Sequence, residues 1–258
     1  MPGRMAGRVA LITGGGGGIG EATGLLFAEE GARVALVDHD PAEVARAAAA
    51  IAARSGEDSV LALTADVAEA AQARRVVEAT AAQLGGLHCL VNVAGIRVYQ
   101  PLAEASEADW ERILGVNLLG TAHCCKAAMP RLRAAGDATI VNVSSVYGVM
   151  GRSGMGQYDT TKAALLGYSR TLAHEEARHG VRVNTVCPGG TITPFHVRRA
   201  AAQGVDEDTL RRSRADANLL GRWAEPREVA YAILFLACAE SSFVTGATLM
   251  IDGGRSIM

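Results

Sequence analysis

Hydrophobic positions along the chain fall into two alternating patterns. Short runs that are apolar at nearly every position recur at 9–13, 33–37, 60–63, 87–91, 139–143, 181–186 and 248–251. Runs of this kind mark strands buried on both faces. Between them, apolar residues return every three or four positions, which predicts helices over 19–30, 41–54, 68–84, 109–135 and 158–179, with further helical material to about 238. Gly31 stands where a helix C-cap is wanted, and Pro41 occupies a tolerated first-turn position. The alanine-rich stretch 47–53 has the best of helix propensities. Strands alternating with helices predict an α/β fold, a doubly wound parallel sheet of about seven strands with helices on both faces. No linker, composition shift or fixed-period repeat interrupts the 258 residues, so a single domain over 1–258 is expected.

Composition narrows the classes of partner. With 49% hydrophobic and 20% charged residues and a net charge of −2, the chain reads as a soluble globular domain without a field for nucleic acid or an anionic membrane. The five cysteines, Cys89, Cys124, Cys125, Cys187 and Cys238, form no C-x-x-C pair and no zinc-like cluster, and they read as free thiols in a reducing compartment. His123, His174 and His179 likewise lack metal-ligand spacing, so no metal is expected. The stretch Met1 to Gly7 is too short and polar for a signal sequence, and no apolar run approaches the ~20 residues of a membrane span. A cytoplasmic protein is the expectation.

Chemistry enters at the turn between the first strand and the first helix, Thr13-Gly14-Gly15-Gly16-Gly17-Gly18-Ile19-Gly20. Backbone that must turn sharply and approach a diphosphate closely requires glycine, and the following helix N-terminus presents free N–H groups. Gly14, Gly18 and Gly20 have the spacing of such a phosphate turn, with Gly17 and Ile19 beside them. No Lys-Ser or Lys-Thr follows, which argues against a nucleoside-triphosphate loop. Asp38 ends the second strand, where a carboxylate can accept from adenosine ribose hydroxyls and would repel a 2′-phosphate. No Arg or Lys lies between Val34 and Pro41, so NAD is expected over NADP.

Tyr158 and Lys162 are four apart in a helical stretch and project from one face. A nearby ammonium favours phenolate, which makes Tyr158 a plausible acid for reducing a carbonyl and base for oxidising an alcohol. Spacing alone would fit a surface pair. The surroundings add weight: Ser144 and Ser145 close the fifth strand, Asn92 and Gly95 follow the fourth, and Pro188-Gly189 follows the sixth. Ligands of doubly wound sheets bind beyond these carboxyl ends.

At these residues the chain resembles the short-chain dehydrogenase/reductase family, over nearly its whole length from about Arg8 to Gly254. The glycine turn is similar to the family's T-G-x-x-x-G-I-G motif, Asn92-Val93-Ala94-Gly95 to N-x-A-G, and Tyr158 to Lys162 to Y-x-x-x-K. The resemblance implies a Rossmann fold and a tetrad. Asn117 would hold a water for proton relay, Ser145, rather than Ser144, would bond the reacting oxygen, Tyr158 would be the acid/base, and Lys162 would lower its pKa and bind the nicotinamide ribose. It also implies that Asp66-Val67 contacts adenine and that Pro188 to Thr193 borders the nicotinamide. There Thr191 departs from the usual Val or Ile, its backbone being the usual carboxamide contact, and Thr193 would bond the carboxamide or diphosphate. A substrate lid over about 194–221 and a homotetramer built on the two long helices are further implications.

The lid segment carries Arg198, Arg199, Arg211, Arg212 and Arg214, offset by Asp206, Glu207, Asp208 and Asp216, which reads as a solvated face rather than a docking patch. Phe195 and His196 begin the lid. Arg97, Tyr99, Tyr147 and Met150, with Met155, are expected to line the substrate opening. Cys124 and Cys125 read as small core residues. The expected function is reversible NAD(H)-dependent hydride transfer between a small-molecule secondary alcohol and a ketone. The rival readings are a 3-oxoacyl-thioester reductase and a non-catalytic dinucleotide-sensing protein.

Overall fold

The computed structural model describes residues 3–213 and 217–258. Its strands are β1 (Val9–Thr13), β2 (Arg33–Asp38), β3 (Val60–Thr64), β4 (Cys89–Asn92), β5 (Ala138–Val143), β6 (Val181–Pro188) and β7 (Thr248–Ile251). The helices are α1 (Gly18–Glu29), α2 (Pro41–Ser55), α3 (Ala70–Leu84), α4 (Glu107–Leu114), α5 (Gly120–Ala135), α6 (Gly156–Glu176), α7 (Pro194–Ala201), α8 (Glu207–Arg212) and α9 (Pro226–Ala237). The strands form one parallel sheet in the order β3-β2-β1-β4-β5-β6-β7. β1 pairs with β2 from Val9 opposite Arg33 and with β4 from Ala10 opposite Cys89. The chain therefore winds outward from β1 to β3, crosses back to β4, and winds outward again. That reversal opens a crevice beyond the carboxyl ends of β1 and β4.

Alternation along each strand divides the core into two layers. Ala10, Ile12, Val34, Leu36, Val141 and Val143 meet α1, α2 and α9, with Phe27 fully buried among them. Val9, Leu11, Ala35, Val37, Leu90, Ile140 and Val183 meet α3, α5 and α6. Because both faces are covered, the central strands are buried along their apolar runs, while the edge strands β3 and β7 are partly exposed. The strand limits agree with the sequence expectation within two residues. Among the described residues, no helix is long and apolar enough to cross a membrane.

One expectation is corrected. The helix expected over 109–135 is two α-helices joined by a single π turn, Gly115–Leu119. Apolar spacing persists through this stretch, so the hydrophobic pattern does not register the break. The cause is tertiary: Asn117 is fully buried in the π turn and needs partners. It finds them in the backbone of Ile96 and the hydroxyl of Thr161. Single π turns in this setting are common near functional sites.

A buried polar chain ties the sheet to the helix that carries Tyr158 and Lys162. Asn92 Nδ2 donates to Asn142 Oδ1 at 2.9 Å, and Asn142 Nδ2 donates to Ser169 Oγ at 2.9 Å. The chain links β4, β5 and α6 on one sheet face. Asn142→Ala removes both bonds and leaves buried donors and acceptors unpaired, which costs about 1–3 kcal/mol. The expected outcome is a lower midpoint in urea or thermal unfolding, and an unchanged midpoint would contradict this role for the chain.

Candidate active site

The turn after β1 adopts conformations that only glycine takes readily. Gly14 and Gly18 have φ of +66° and +54°. A Cβ on Gly14 would meet the Ala94 amide at 2.9 Å, so the turn lies flat against the loop after β4. A Cβ on Gly20 would collide with the Gly14 carbonyl, which makes Gly20 a packing residue of the turn. Thr13 Oγ1 accepts from the Val93 and Ala94 N–H groups at 3.1 and 3.2 Å, pinning the ends of β1 and β4 together. Asp38 Oδ2 accepts from the Gly16 N–H at 3.0 Å, which holds the carboxylate beside the turn. Arg46 also reaches this place, donating to the Gly16 carbonyl at 2.8 Å and pairing with Glu21. It stands on α2, eight residues beyond Asp38 and outside the segment between Val34 and Pro41.

These elements border a cleft of about 890 Å3. Gly14, Gly17, Gly18 and Ile19 line it, as do Asp38, Asp66 and Val67, Ala94 and Gly95, and Pro188, Gly189, Thr191 and Thr193. Ser145, Tyr158 and Lys162 line it too. Three of the expected site residues are not in its lining: Gly20 packs within the turn, Asn92 is taken up by Asn142, and Asn117 lies behind the wall. Asn117 Oδ1 accepts from the Ile96 N–H at 2.7 Å, and its Nδ2 donates to Ile96 O and Thr161 Oγ1. It thus couples the loop after β4 to α6.

Lys162 is only 3% exposed, and its ammonium donates to the Val143 carbonyl at 2.8 Å. Burial pushes its pKa down. Tyr158 is 8% exposed, with the ammonium 5.7 Å from its ring centre. Burial pushes the phenol up, but Lys162, Arg97, a hydrogen bond with Ser145 and Arg152 act together to hold it below its ordinary value. The two serines divide the work. Ser144 donates to the Lys162 carbonyl at 2.7 Å, while Ser145 accepts from the Tyr147 N–H and helps to lower the pKa of the Tyr158 phenol. The cations are the part that sequence reasoning missed. The sequence assigns Arg97 only to the opening, yet its guanidinium lies 5.6 Å from the Tyr158 ring centre, and that of Arg152 lies 5.4 Å from it.

The segment after β6 closes over this end. Arg97 Nη1 contacts His196 Nε2 at 2.7 Å, and His196 Nδ1 contacts Thr193 Oγ1 at 2.9 Å. Arg198 pairs with Glu43 on α2 at 3.3 Å, and Arg211 pairs with Glu207 and Glu225. Arg199 stacks over Tyr99 at 3.6 Å. Arg214 and Asp216 lie outside the described residues. Of the residues expected to line the opening, only Arg97 does so: Tyr147 sits under Arg152, Met155 packs with Val98, Ile113 and Tyr158, and both lie outside the lining with Tyr99 and Met150. Cys124 and Cys125 are buried, and burial pushes both thiols up to about 12.

A family profile described as enoyl-(acyl carrier protein) reductase matches residues 15–256. The chain belongs to the short-chain dehydrogenase/reductase family. Among its relatives in that family is the cis-4-hydroxycyclohexanecarboxylate dehydrogenase of Sinomonas cyclohexanicum, 40% identical over 250 residues that cover 96% of each chain. Two solved members have the same architecture. A 3-ketoacyl-(acyl-carrier-protein) reductase from Brucella melitensis, complexed with NADH, is 32% identical with a TM-score of 0.87 over 98% of this chain and 99% of its own. L-sorbose reductase from Gluconobacter frateurii, complexed with NADPH and L-sorbose, is 30% identical with a TM-score of 0.94 over the whole of both chains.

For a short-chain dehydrogenase/reductase, the residues of this cleft fit a dinucleotide. The glycine turn leaves no room for side chains on the side facing Ala94, while nothing lies within 4 Å of a Cβ on Gly17. At the other end, the buried Lys162 ammonium has three N–H donors and, among the described residues, a hydrogen bond only to Val143. Gly20→Ala forces the turn away from Gly14. NADH affinity, read by its fluorescence on binding, is expected to fall at least about tenfold while circular dichroism stays native. Unchanged affinity would contradict the assignment of this turn.

Proposed function

We propose that the protein is an NAD(H)-dependent oxidoreductase that interconverts a secondary alcohol and a ketone, with Tyr158 as acid/base. The observation that carries this reading is a buried phenol, flanked by Lys162, Arg97 and Arg152, in the same cleft as the glycine turn and Asp38. When bound, the nicotinamide supplies hydride exchange at its C4 atom. The chain supplies the proton chemistry. In the oxidising direction the Tyr158 phenolate takes the alcohol proton while the Ser145 hydroxyl bonds the reacting oxygen. In the reducing direction the phenol returns that proton. Lys162 holds the nicotinamide ribose and keeps the phenol acidic. Asn117 belongs to the tetrad as the residue that orders the relay water.

NAD rather than NADP follows from Asp38, whose carboxylate is held at the turn by the Gly16 N–H and would oppose a 2′-phosphate. Arg46 is the cation that could compensate, but Glu21 and Glu43 engage it. Asp66 and Val67 face the adenine in this reading. Pro188, Gly189, Thr191 and Thr193 border the nicotinamide, as Ala94 and Gly95 border the ribose. Residues 194–221 form the substrate lid. Five buried free thiols suit a cytoplasmic setting. The exposed side chains Leu119, Phe243 and Ile257 suit burial in the homotetramer that the family resemblance implies.

A 3-oxoacyl-thioester reductase is the second reading, favoured by the likeness to the 3-ketoacyl-(acyl-carrier-protein) reductase of Brucella melitensis. Its argument from lid arginines is weakened by the pairing of Arg198 and Arg211 with glutamates. The deciding experiment is a panel of secondary alcohols, ketones and 3-oxoacyl thioesters followed by nicotinamide absorbance with both cofactors. Turnover of an alcohol or ketone with NAD(H) is expected, falling about 10²–10⁴-fold in Tyr158→Phe. Full activity of that variant, or tighter binding of NADPH than NADH, would overturn the proposal.

A further inference from the structure

We propose that Arg97 is the binding site for a carboxylate on the substrate, so that the alcohol oxidised is a small hydroxy acid and the product an oxo acid. This rests on the alcohol–ketone reading above and names its substrate class. Arg97 follows Gly95 in the loop after β4, is half-buried, and lines the cleft. Its guanidinium lies 5.1 Å from the Phe195 ring centre and 5.6 Å from that of Tyr158. Cationic charge is therefore already in place beside the reacting phenol.

The other arginines that line the cleft, and Arg152 beside Tyr158, are paired with carboxylates. Arg112 and Arg198, which also line the cleft, pair with Asp109 at 3.5 Å and Glu43 at 3.3 Å. Arg152, also beside Tyr158, pairs with Asp159 at 3.0 Å. Among the described residues Arg97 has no such partner, and its single hydrogen bond is the 2.7 Å contact to His196. Arginine is a permanent cation with five N–H donors and accepts none. His196 Nε2 must therefore accept in that contact, which leaves Nδ1–H to donate to Thr193 Oγ1 at 2.9 Å. That relay fixes one edge of the guanidinium to the first turn of α7. The remaining donors are available to an anion in the cleft.

The position selects the kind of anion. Asp38 and Asp66 occupy the end of the cleft assigned to adenosine, and the glycine turn is the place for phosphates. Arg97 stands at the opposite end, against Tyr158 and Phe195. A carboxylate there, with its carbinol at Tyr158 and Ser145, must belong to the reacting molecule and be only a few bonds from the carbinol. The carboxylate stays unchanged through the reaction. The carbinol loses its proton to Tyr158 and its hydride to NAD, giving an oxo acid and NADH. A guanidinium–carboxylate pair is among the stronger and more directional polar contacts, so it would also orient the carbinol.

The test compares lactate, β-hydroxybutyrate and mandelate, each against its methyl ester, with NAD and the full-length enzyme. Wild type is expected to prefer at least one acid over its ester by about tenfold or more in kcat/KM. Arg97 also acidifies Tyr158, so Arg97→Gln is expected to slow both members of a pair. The acid-to-ester ratio is the informative quantity; it should collapse toward one, chiefly through KM, and recover in part in Arg97→Lys. A second readout is independent of turnover: quenching of tryptophan fluorescence by the acids, with Trp223 beside His196 at 5.0 Å. It should be present in wild type and lost in Arg97→Gln, while NADH affinity is unchanged. Esters used as well as acids by wild type, an unaltered ratio in Arg97→Gln, or loss of NADH affinity in that variant would overturn the proposal. If neither acids nor esters turn over but the acids still quench through Arg97, the alcohol–ketone reading fails and the carboxylate site stands.

Discussion

Two groups that burial disfavours in their charged forms are buried side by side at the carboxyl end of the sheet. Removal from water pushes the Lys162 ammonium toward its neutral form and the Tyr158 phenol toward its protonated form. Each opposes the other's tendency, because phenolate stabilises ammonium and ammonium stabilises phenolate. Their four-residue separation on α6 makes the contact a property of the helix itself. The Val143 carbonyl anchors the ammonium from β5, and the Ser144 hydroxyl bonds the Lys162 carbonyl from the same strand end. Arg97 and Arg152 then approach the phenol from two loops, and the balance falls on the acidic side.

Much of the fold serves to hold that pair against the nucleotide end of the cleft. Thr13 joins the ends of β1 and β4. Asn92, Asn142 and Ser169 join β4 and β5 to α6. Asn117 joins the loop after β4 to α6 through Ile96 and Thr161. Gly95 belongs to the same arrangement, since a Cβ there would press on Asn117 Oδ1 at 3.3 Å and Lys162 Nζ at 3.4 Å. These are buried hydrogen-bonded contacts, and such networks fix one arrangement where apolar packing tolerates several.

The sheet was largely legible from the sequence because both faces of its central strands are covered, so these announce themselves as apolar runs. The glycine turn and Asp38 were legible because local backbone demands and short-range chemistry dictate them. The π turn was not. Its cause is the burial of Asn117 against Ile96 and Thr161, and neither partner is close in sequence. For the same reason Asn92 looked like a ligand contact although its amide faces Asn142 across a strand pair. Arg97 and Arg46 were visible as letters, but their charges acquire meaning only when the fold brings one to Tyr158 and the other to Gly16. Arg97, two residues after Gly95, was the available signal for the first, since that loop starts at a ligand-facing strand end.

The central claim is that the protein's own cations acidify Tyr158, and it can be measured directly. The chain has five tyrosines, so a protein labelled at the tyrosine ring carbon gives a spectrum simple enough to titrate by NMR. One resonance, absent from Tyr158→Phe, is predicted to titrate below the ordinary phenol value of about 10. In Lys162→Met the same resonance should titrate at higher pH, because the nearest positive charge is gone. A wild-type Tyr158 resonance that titrates at or above the ordinary value, or one that does not move when Lys162 is replaced, would contradict the account.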